Sequence, residues 1–227
     1  QDMLKEIAVL GANIVFSSSS SVYGDKAIYN TPEDNITSPT NLYSMTKVTG
    51  ENLLESYCQN AYTSGVSLRF FNVAGADPDS RYGYRKKNIT HLIPAIVNAI
   101  ITGEDFVLYG TGEAERSFTH VEDIARAHVK ALDLVSSFDP EKESYDVLNI
   151  GGDQCYSVND IISGARDMFG IDSLRVISDV ARPGDTMLQS ANNQKARQVL
   201  GWQPQYDIRD MLLDEYNFQK KHGLRKE

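Results

Sequence analysis

Tyr43 and Lys47 stand four residues apart, and a row of five hydroxyls, Ser17 to Ser21, precedes them in the chain. On a helix, residues four apart share one side. An ammonium held near a phenol favours the phenolate, and so draws a group that normally ionises near pH 10 toward acid/base work at neutral pH. Serine hydroxyls beside it could hydrogen-bond a ligand oxygen and relay its proton. Each feature also has a plainer reading. A serine run is often flexible linker, and a Tyr and a Lys four apart are often no more than an exposed pair on a solvated helix.

The flanking elements favour the chemical reading. Asn13 to Phe16 is a short, mostly apolar strand that runs directly into the serines, where a linker would have polar or Gly- and Pro-rich neighbours. Residues 24 to 41, with Pro32 and Pro39, predict a loop, and Leu42 to Tyr62 a long helix that opens on Tyr43. Val66 to Asn72 predicts a second strand and 74–88 a loop. His91 to Thr102 predicts a helix stopped by Gly103, and Phe106 to Tyr109 a short strand. Val121 to Val135 predicts an amphipathic helix, with His120 capping or packing at its start. Tyr145 to Ile150 predicts a strand ending at Gly151-Gly152. Ser157 with Asp160 forms a capping-box pattern for a helix through Phe169. Leu174 to Ile177 is a further strand, and 193–200 and 207–222 are helical. Leu4, Ile7, Ala8 and Leu10 have helical spacing before Gly11. Strands alternating with helices predict an α/β chain with a mostly parallel sheet covered on both faces. Ligands of such sheets sit beyond the carboxyl ends of the strands, where the serines, Asn72 and Gly151 all fall.

The 227 residues suffice for one large domain or two small ones. Apolar residues make up 41% of the chain and charged residues 23%. Both fractions are ordinary for a globular protein. A net charge of −9 argues against nucleic acid as the main partner. The most apolar stretch, Leu92 to Ile101, is too short to span a membrane. Cys58 and Cys155 are far apart, in no metal-ligand or disulfide pattern; no metal is expected, and a cytoplasmic protein with reduced thiols is the simplest expectation.

Seven motifs, in order, carry a resemblance: Ile14-Val-Phe-Ser-Ser-Ser-Ser-Ser-Val-Tyr-Gly24, Tyr43 to Lys47, Arg69-Phe-Phe-Asn72, Thr90-His-Leu-Ile-Pro94, Arg116-Ser-Phe-Thr-His-Val-Glu-Asp123, Asn149-Ile-Gly151 and Arg182-Pro-Gly-Asp185. Their order resembles the extended short-chain dehydrogenase/reductase superfamily, and within it the NAD-dependent nucleotide-sugar 4-epimerases that act on UDP-glucose and UDP-galactose. The resemblance implies the C-terminal part of a Rossmann-like doubly wound parallel sheet (residues 1–75 and 121–151), with a smaller α/β substrate lobe (76–120 and 152–227). It implies bound NAD, a UDP-sugar substrate passing through a 4-keto intermediate, and a homodimer. Tyr43 would be the acid/base at the sugar 4-hydroxyl, Lys47 would hold the nicotinamide ribose, and Ser19 would relay the proton, with Ser17, Ser18 and Ser21 nearby. Phe70 and Asn72 would lie where cofactor and substrate meet. Asn72, His91 and Leu92 would approach the diphosphate, Val107 and Tyr109 the uracil, Arg116 and Arg182 the diphosphate, and Asp185 a ribose hydroxyl. Arginine suits phosphate because its fork of donors is always charged. Glu113, Glu115 and Asp185 nearby leave surface ion pairing open for both arginines, and Tyr109 could be plain strand core.

The chain also departs from that family's pattern. The glycine-rich strand-to-helix turn that cradles a dinucleotide is not found, since Gly110-Thr-Gly112 lacks the third glycine; the expectation is a chain that begins mid-fold. Phe70 stands where many relatives have Tyr. Gln189 stands where a small side chain tends to admit N-acetylated sugars and a bulky one to exclude them. Dehydratases and decarboxylases of the superfamily want a carboxylate just after the central hydroxyl, where this chain has Ser20 and Ser21. A nucleotide-sugar reductase, and an inert module that binds nucleotide sugar without turnover, stay open.

Overall fold

The computed structural model describes residues 6, 9–10, 12–60, 63–86, 88–139, 144–171, 174–181 and 186–223. In chain order its elements are β1 (Ile14–Ser19), a 3₁₀ segment (Ser20–Lys26), α1 (Leu42–Asn60), β2 (Gly65–Phe70), β3 (Asn72–Ala74), α2 (Leu92–Thr102), β4 (Phe106–Tyr109), β5 (Glu115–His120), α3 (Val121–Ser137), β6 (Tyr145–Ile150), β7 (Cys155–Ser157), α4 (Val158–Phe169), β8 (Val176–Asp179), β9 (Leu188–Gln189), α5 (Gln194–Leu200) and α6 (Ile208–His222). Leu4, Ile7, Ala8 and Gly11, on which an N-terminal helix was expected, lie outside the described residues.

Local chemistry sets the helix ends. Ser157 and Asp160 form the expected capping box, and Gly170 ends α4 in the left-handed conformation. Gly103 does the same for α2, whose Pro94 sits in the first turn, where a missing N–H costs nothing. The Nδ1 of His120 accepts from the Glu122 N–H at 3.1 Å, so this histidine caps α3 as expected. Asn41 starts α1: its side chain accepts from Ser44 N at 2.9 Å, while the Ser44 hydroxyl accepts from Asn41 N at 3.1 Å.

β1, β2 and β6 form a parallel three-stranded sheet in the order β1-β2-β6. Its register places Ser17 beside Leu68, Ser18 beside Arg69 and Ser19 beside Phe70, then Arg69 beside Asn149. Side chains alternate across a sheet, and here the two faces differ in kind. On one, Val66, Leu68, Leu148 and Ile150 pack against Ile124, Ala127, Ala131 and Val135 of α3, Ala196 and Leu200 of α5, and Trp202. On the other, Ser18, Ser67, Arg69, Tyr145 and Asn149 meet α1, the loop before it and one another through hydrogen bonds. A second apolar core joins α2, β4, α4 and α6.

Four expectations are corrected. β1 runs through Ser17 to Ser19 instead of stopping at Phe16, because ladder bonds to β2 and side-chain partners on both faces keep the serines extended. The strand expected at 66–72 breaks at Phe71, whose N–H bonds the Ile150 carbonyl at 3.0 Å, before β3 turns away to pair with β5. The strand expected over 174–177 is β8, two residues later. The sheet is not one continuous layer: β3-β5-β7 with β9 on β5, and β4-β8, are separate ladders, and β5 with β7 is antiparallel.

Candidate active site

The serine row divides its side chains between three environments. The Ser17 hydroxyl lies 3.0 Å from His128 Nε2, whose Nδ1 is 2.9 Å from the Ile124 carbonyl. A carbonyl can only accept, so Nδ1 carries a proton, and the ring is held with Nε2 toward Ser17. Ser18 turns to the opposite face and donates to Glu51 Oε1 at 2.5 Å. Ser19 opens the 3₁₀ segment, its Oγ accepting from Ser21 N at 3.2 Å. The Ser21 hydroxyl is shielded from solvent and has no hydrogen-bond partner among the described residues. Gly24 lets the segment turn, with φ of 52° and ψ of −129°. That conformation suits glycine. A Cβ at this position would lie 1.9 Å from the Ser38 carbonyl oxygen.

Tyr43 and Lys47 lie together on the first turns of α1. The Lys47 Nζ is 5.4 Å from the centre of the Tyr43 ring and 5.3 Å from that of Phe16. It donates to the Ser17 carbonyl at 2.8 Å, which ties the helix to the edge of β1. Tyr43 is 56% exposed, open to a ligand.

A cavity of about 1160 Å³ opens from this point. At one end it is lined by Ser18, Ser19, Ser21, Tyr43, Phe70 and Asn72. Asn72 starts β3, and its amide nitrogen donates to the Ser117 carbonyl at 3.1 Å and to Gln189 Oε1 at 3.2 Å, so Gln189 faces the cavity with its oxygen engaged. Along the cavity come His91 and Leu92 at the start of α2, where backbone N–H groups point out unpaired by the helix. The His91 ring packs edge-on to Tyr84 at 5.2 Å, and burial with nearby Lys86 pushes its pKa down. Val107 and Tyr109, on the exposed side of β4, and Arg116 of β5 complete the lining at the far end.

Most expected site residues therefore share one cavity. Ser17 and Lys47 do not line it; Ser17 is exposed and Lys47 half-buried, joined to each other and, through Ser17, to His128. Arg182 and Asp185 lie outside the described residues. Gly110-Thr111-Gly112 leads from β4 into β5 and not into a helix, and no glycine-rich strand-to-helix turn occurs among the described residues.

Beneath the site is a buried polar network that the sequence motifs did not reveal. Glu51 and Arg69 form a two-pronged ion pair, Nε to Oε1 at 3.0 Å and Nη2 to Oε2 at 2.7 Å, with side chains 6% and 7% exposed. Arg69 Nη1 donates to the Tyr23 hydroxyl and to the Glu33 carbonyl, both at 2.9 Å. Tyr23 in turn donates to Asn149 Oδ1 at 2.7 Å, and the Asn149 N–H donates to Glu33 Oε1 at 2.8 Å. Burial opposes the charge on Arg69, but the bonds to Glu51 and Tyr23 outweigh it and raise its pKa. Burial raises Tyr23 and Glu33 as well. The only sequence signal was a lone arginine inside an otherwise strand-like run.

Comparison with known proteins adds a family. Residues 1–151 match the family model described as NAD dependent epimerase/dehydratase. The chain is 34% identical over 224 residues to a UDP-glucose 4-epimerase of Corynebacterium glutamicum, an alignment covering 94% of this chain and 65% of that protein. A solved UDP-glucose 4-epimerase from Bifidobacterium longum, in complex with NAD⁺ and UDP, superposes with a TM-score of 0.86 at 29% identity, covering 98% of this chain and 68% of that one. A UDP-glucuronic acid 4-epimerase from Bacillus cereus, in complex with UDP-glucuronic acid and NAD, gives 0.81 at 28% identity, covering 96% and 65%. The chain thus spans just under two thirds of the curated relative's length.

Proposed function

The chain belongs to the NAD dependent epimerase/dehydratase family, and from that premise we propose that it carries the sugar site and acid/base centre of an NAD-dependent UDP-hexose 4-epimerase of the UDP-glucose/UDP-galactose type. One observation carries the reading: Tyr43, with the Lys47 ammonium beside it, opens onto the same cavity wall as Ser19 and Ser21.

In this reading Tyr43 takes the proton from the sugar 4-hydroxyl and Ser19 hydrogen-bonds the same oxygen. Bound NAD⁺ would supply the hydride acceptor at sugar C4, making the 4-keto intermediate. The residues that fit its nicotinamide end are Tyr43, Lys47, Ser17, Ser18 and Phe70. The diphosphate would meet Arg116, Asn72 and the first N–H groups of α2 at His91 and Leu92, because a helix N-terminus favours anions. Val107 and Tyr109 would face the uracil. Holding the nucleotide firmly lets the hexose turn while the reactive ketone stays bound, so that binding energy from the unreacting part serves the chemistry. Residues 1–75 and 121–151 would form the cofactor part, and 76–120 with 152–227 the substrate lobe.

A hexose of the UDP-glucose type is favoured by the curated relatives named UDP-glucose 4-epimerase. Gln189, of intermediate size and held by Asn72, lies where an N-acetyl group would be sorted. The reading includes a homodimer through α1, whose Leu42 and Met45 are 78% and 54% exposed.

The test pairs calorimetric titration of UDP with a turnover assay on UDP-galactose in the presence of NAD⁺. Binding of UDP with interconversion to UDP-glucose is expected. UDP binding without conversion would leave the inert binding module; failure to bind UDP would sink the assignment of the cavity.

A further inference from the structure

Tyr43, Lys47 and Glu51 follow one another at intervals of four along α1, so one side of the helix carries the two proposed reactive groups and then a buried acid. Glu51 Oε1 accepts from two donors that come from different strands: Ser18 on β1 at 2.5 Å and Arg69 on β2 at 3.0 Å. Through its other nitrogen Arg69 reaches the Tyr23 hydroxyl in the 3₁₀ segment and the Glu33 carbonyl in the following loop. One ion pair therefore touches the helix that bears Tyr43, the strand that bears Ser17 to Ser19, and the segment that bears Ser21.

The pair is stiff in a way that apolar packing is not. A two-pronged arginine–carboxylate contact fixes both distance and plane, and in a site this buried every group must keep its partner or lose a great deal. Apolar contacts on this face, Phe16 against Gly50, Val48 against the cluster of Val22, Tyr23, Phe71 and Ala191, and Leu54 and Cys58 against Gly65 at the far end of β2, fill space but do not fix a direction as the ion pair does.

We infer that Glu51 and Arg69 are positioning residues, which set the register of α1 against β1 and so the placing of Tyr43 relative to Ser19. Neither lines the cavity. The inference rests on the reading of Tyr43 as the acid/base group, and it assigns the geometry of that group to a pair two turns away.

A buried ion pair can be replaced by apolar side chains of similar length without loss of the fold, whereas removing one partner strands a charge. The informative variant is thus the double substitution Glu51→Met with Arg69→Met in the NAD-loaded protein. A misplacement of about an ångström costs up to ~10²-fold in rate. The expected result is a fall in kcat of roughly ten- to a hundredfold, with KM and UDP affinity unchanged and the melting temperature retained. Wild-type kcat in a folded double variant overturns the inference. Should the double variant fail to fold, Ser18→Ala carries the test, read together with NAD⁺ affinity because Ser18 is also proposed at the nicotinamide end: a lower kcat at constant KM and constant NAD⁺ affinity supports positioning, and an unchanged kcat, or a loss that follows lost NAD⁺ affinity, overturns it. If the unaltered protein shows no turnover, the proposed function fails by itself. The positioning is then read from the ¹⁹F signal of 3-fluorotyrosine placed at position 43, which should move or broaden in whichever of these variants folds and stay fixed if the inference is wrong.

Discussion

The Lys47 ammonium lies 5.4 Å from the centre of the Tyr43 ring and at the same time holds the Ser17 carbonyl at 2.8 Å. One cation thereby links the phenol to the strand that carries the serines. This arrangement is what makes Tyr43, among the 12 tyrosines of the chain, the candidate for proton transfer.

Tyr43→Phe should lower turnover of UDP-galactose by about 10²–10⁴-fold, the usual contribution of a positioned acid/base group, and leave the calorimetric affinity for UDP unchanged. Equal losses in both would point to a folding defect instead.

Asp214 should make stability depend on pH. Burial, with Asp210, Asp77 and Glu122 adding to it, pushes its carboxyl from 3.8 up to about 6. The nearby His120, whose Nε2 is 3.2 Å away, gives it no cation, since burial drives that ring toward its neutral form. The folded state thus holds this proton more tightly than the unfolded chain does. Stability from this group is complete below 3.8, falls as pH rises, and has been lost once pH passes about 6. Asp214→Asn abolishes the effect. Its melting temperature relative to the unaltered protein should climb between those two values and level off above them. A difference that stays constant from about pH 4 to pH 7 would refute the assignment.

Gly24→Ala should destabilise the whole chain. The backbone region it occupies costs other residues about 1–3 kcal/mol, and the added methyl would press on the Ser38 carbonyl 1.9 Å away. A fall of roughly 5 °C or more in Tm is expected. An unaltered melt would show that the turn between Ser20 and Lys26 relaxes freely.

The two thiols should separate in a titration with Ellman's reagent. Cys58 is 1% exposed, and burial raises its pKa to about 11, with Glu55 adding to the effect. Cys155 is half-buried. One thiol should react quickly in the folded protein and two after denaturation; two fast thiols in the native state would contradict the packing of Leu54 and Cys58 against Gly65.

How far the sequence could be read depends on how local each signal is. The Ser157–Asp160 box, the glycine stop at 103 and the β6 strand are set by residues within a few positions of one another, and all were legible. β5 was not, because Glu115, Arg116, Ser117 and Thr119 have no strand-like pattern of their own; β3, β7 and β9 on its two edges make it a strand. The serines of β1 are extended for a similar reason, held by His128 from one helix and Glu51 from another. In the site, the Tyr43–Lys47 pair could be found from a spacing of four. The Glu51–Arg69 pair could not, since 18 residues and a strand crossing separate its members.

The two faces of the β1-β2-β6 sheet hold their helices by different kinds of contact. Between the sheet and α3 the contacts are mostly apolar and without preferred direction, with the Ser17–His128 hydrogen bond at one edge. Between the sheet and α1, donors and acceptors must stay aligned, and a sliding displacement would break several bonds together. A shift of the helix bearing Tyr43 must therefore carry β1 and β2 with it or give up those bonds.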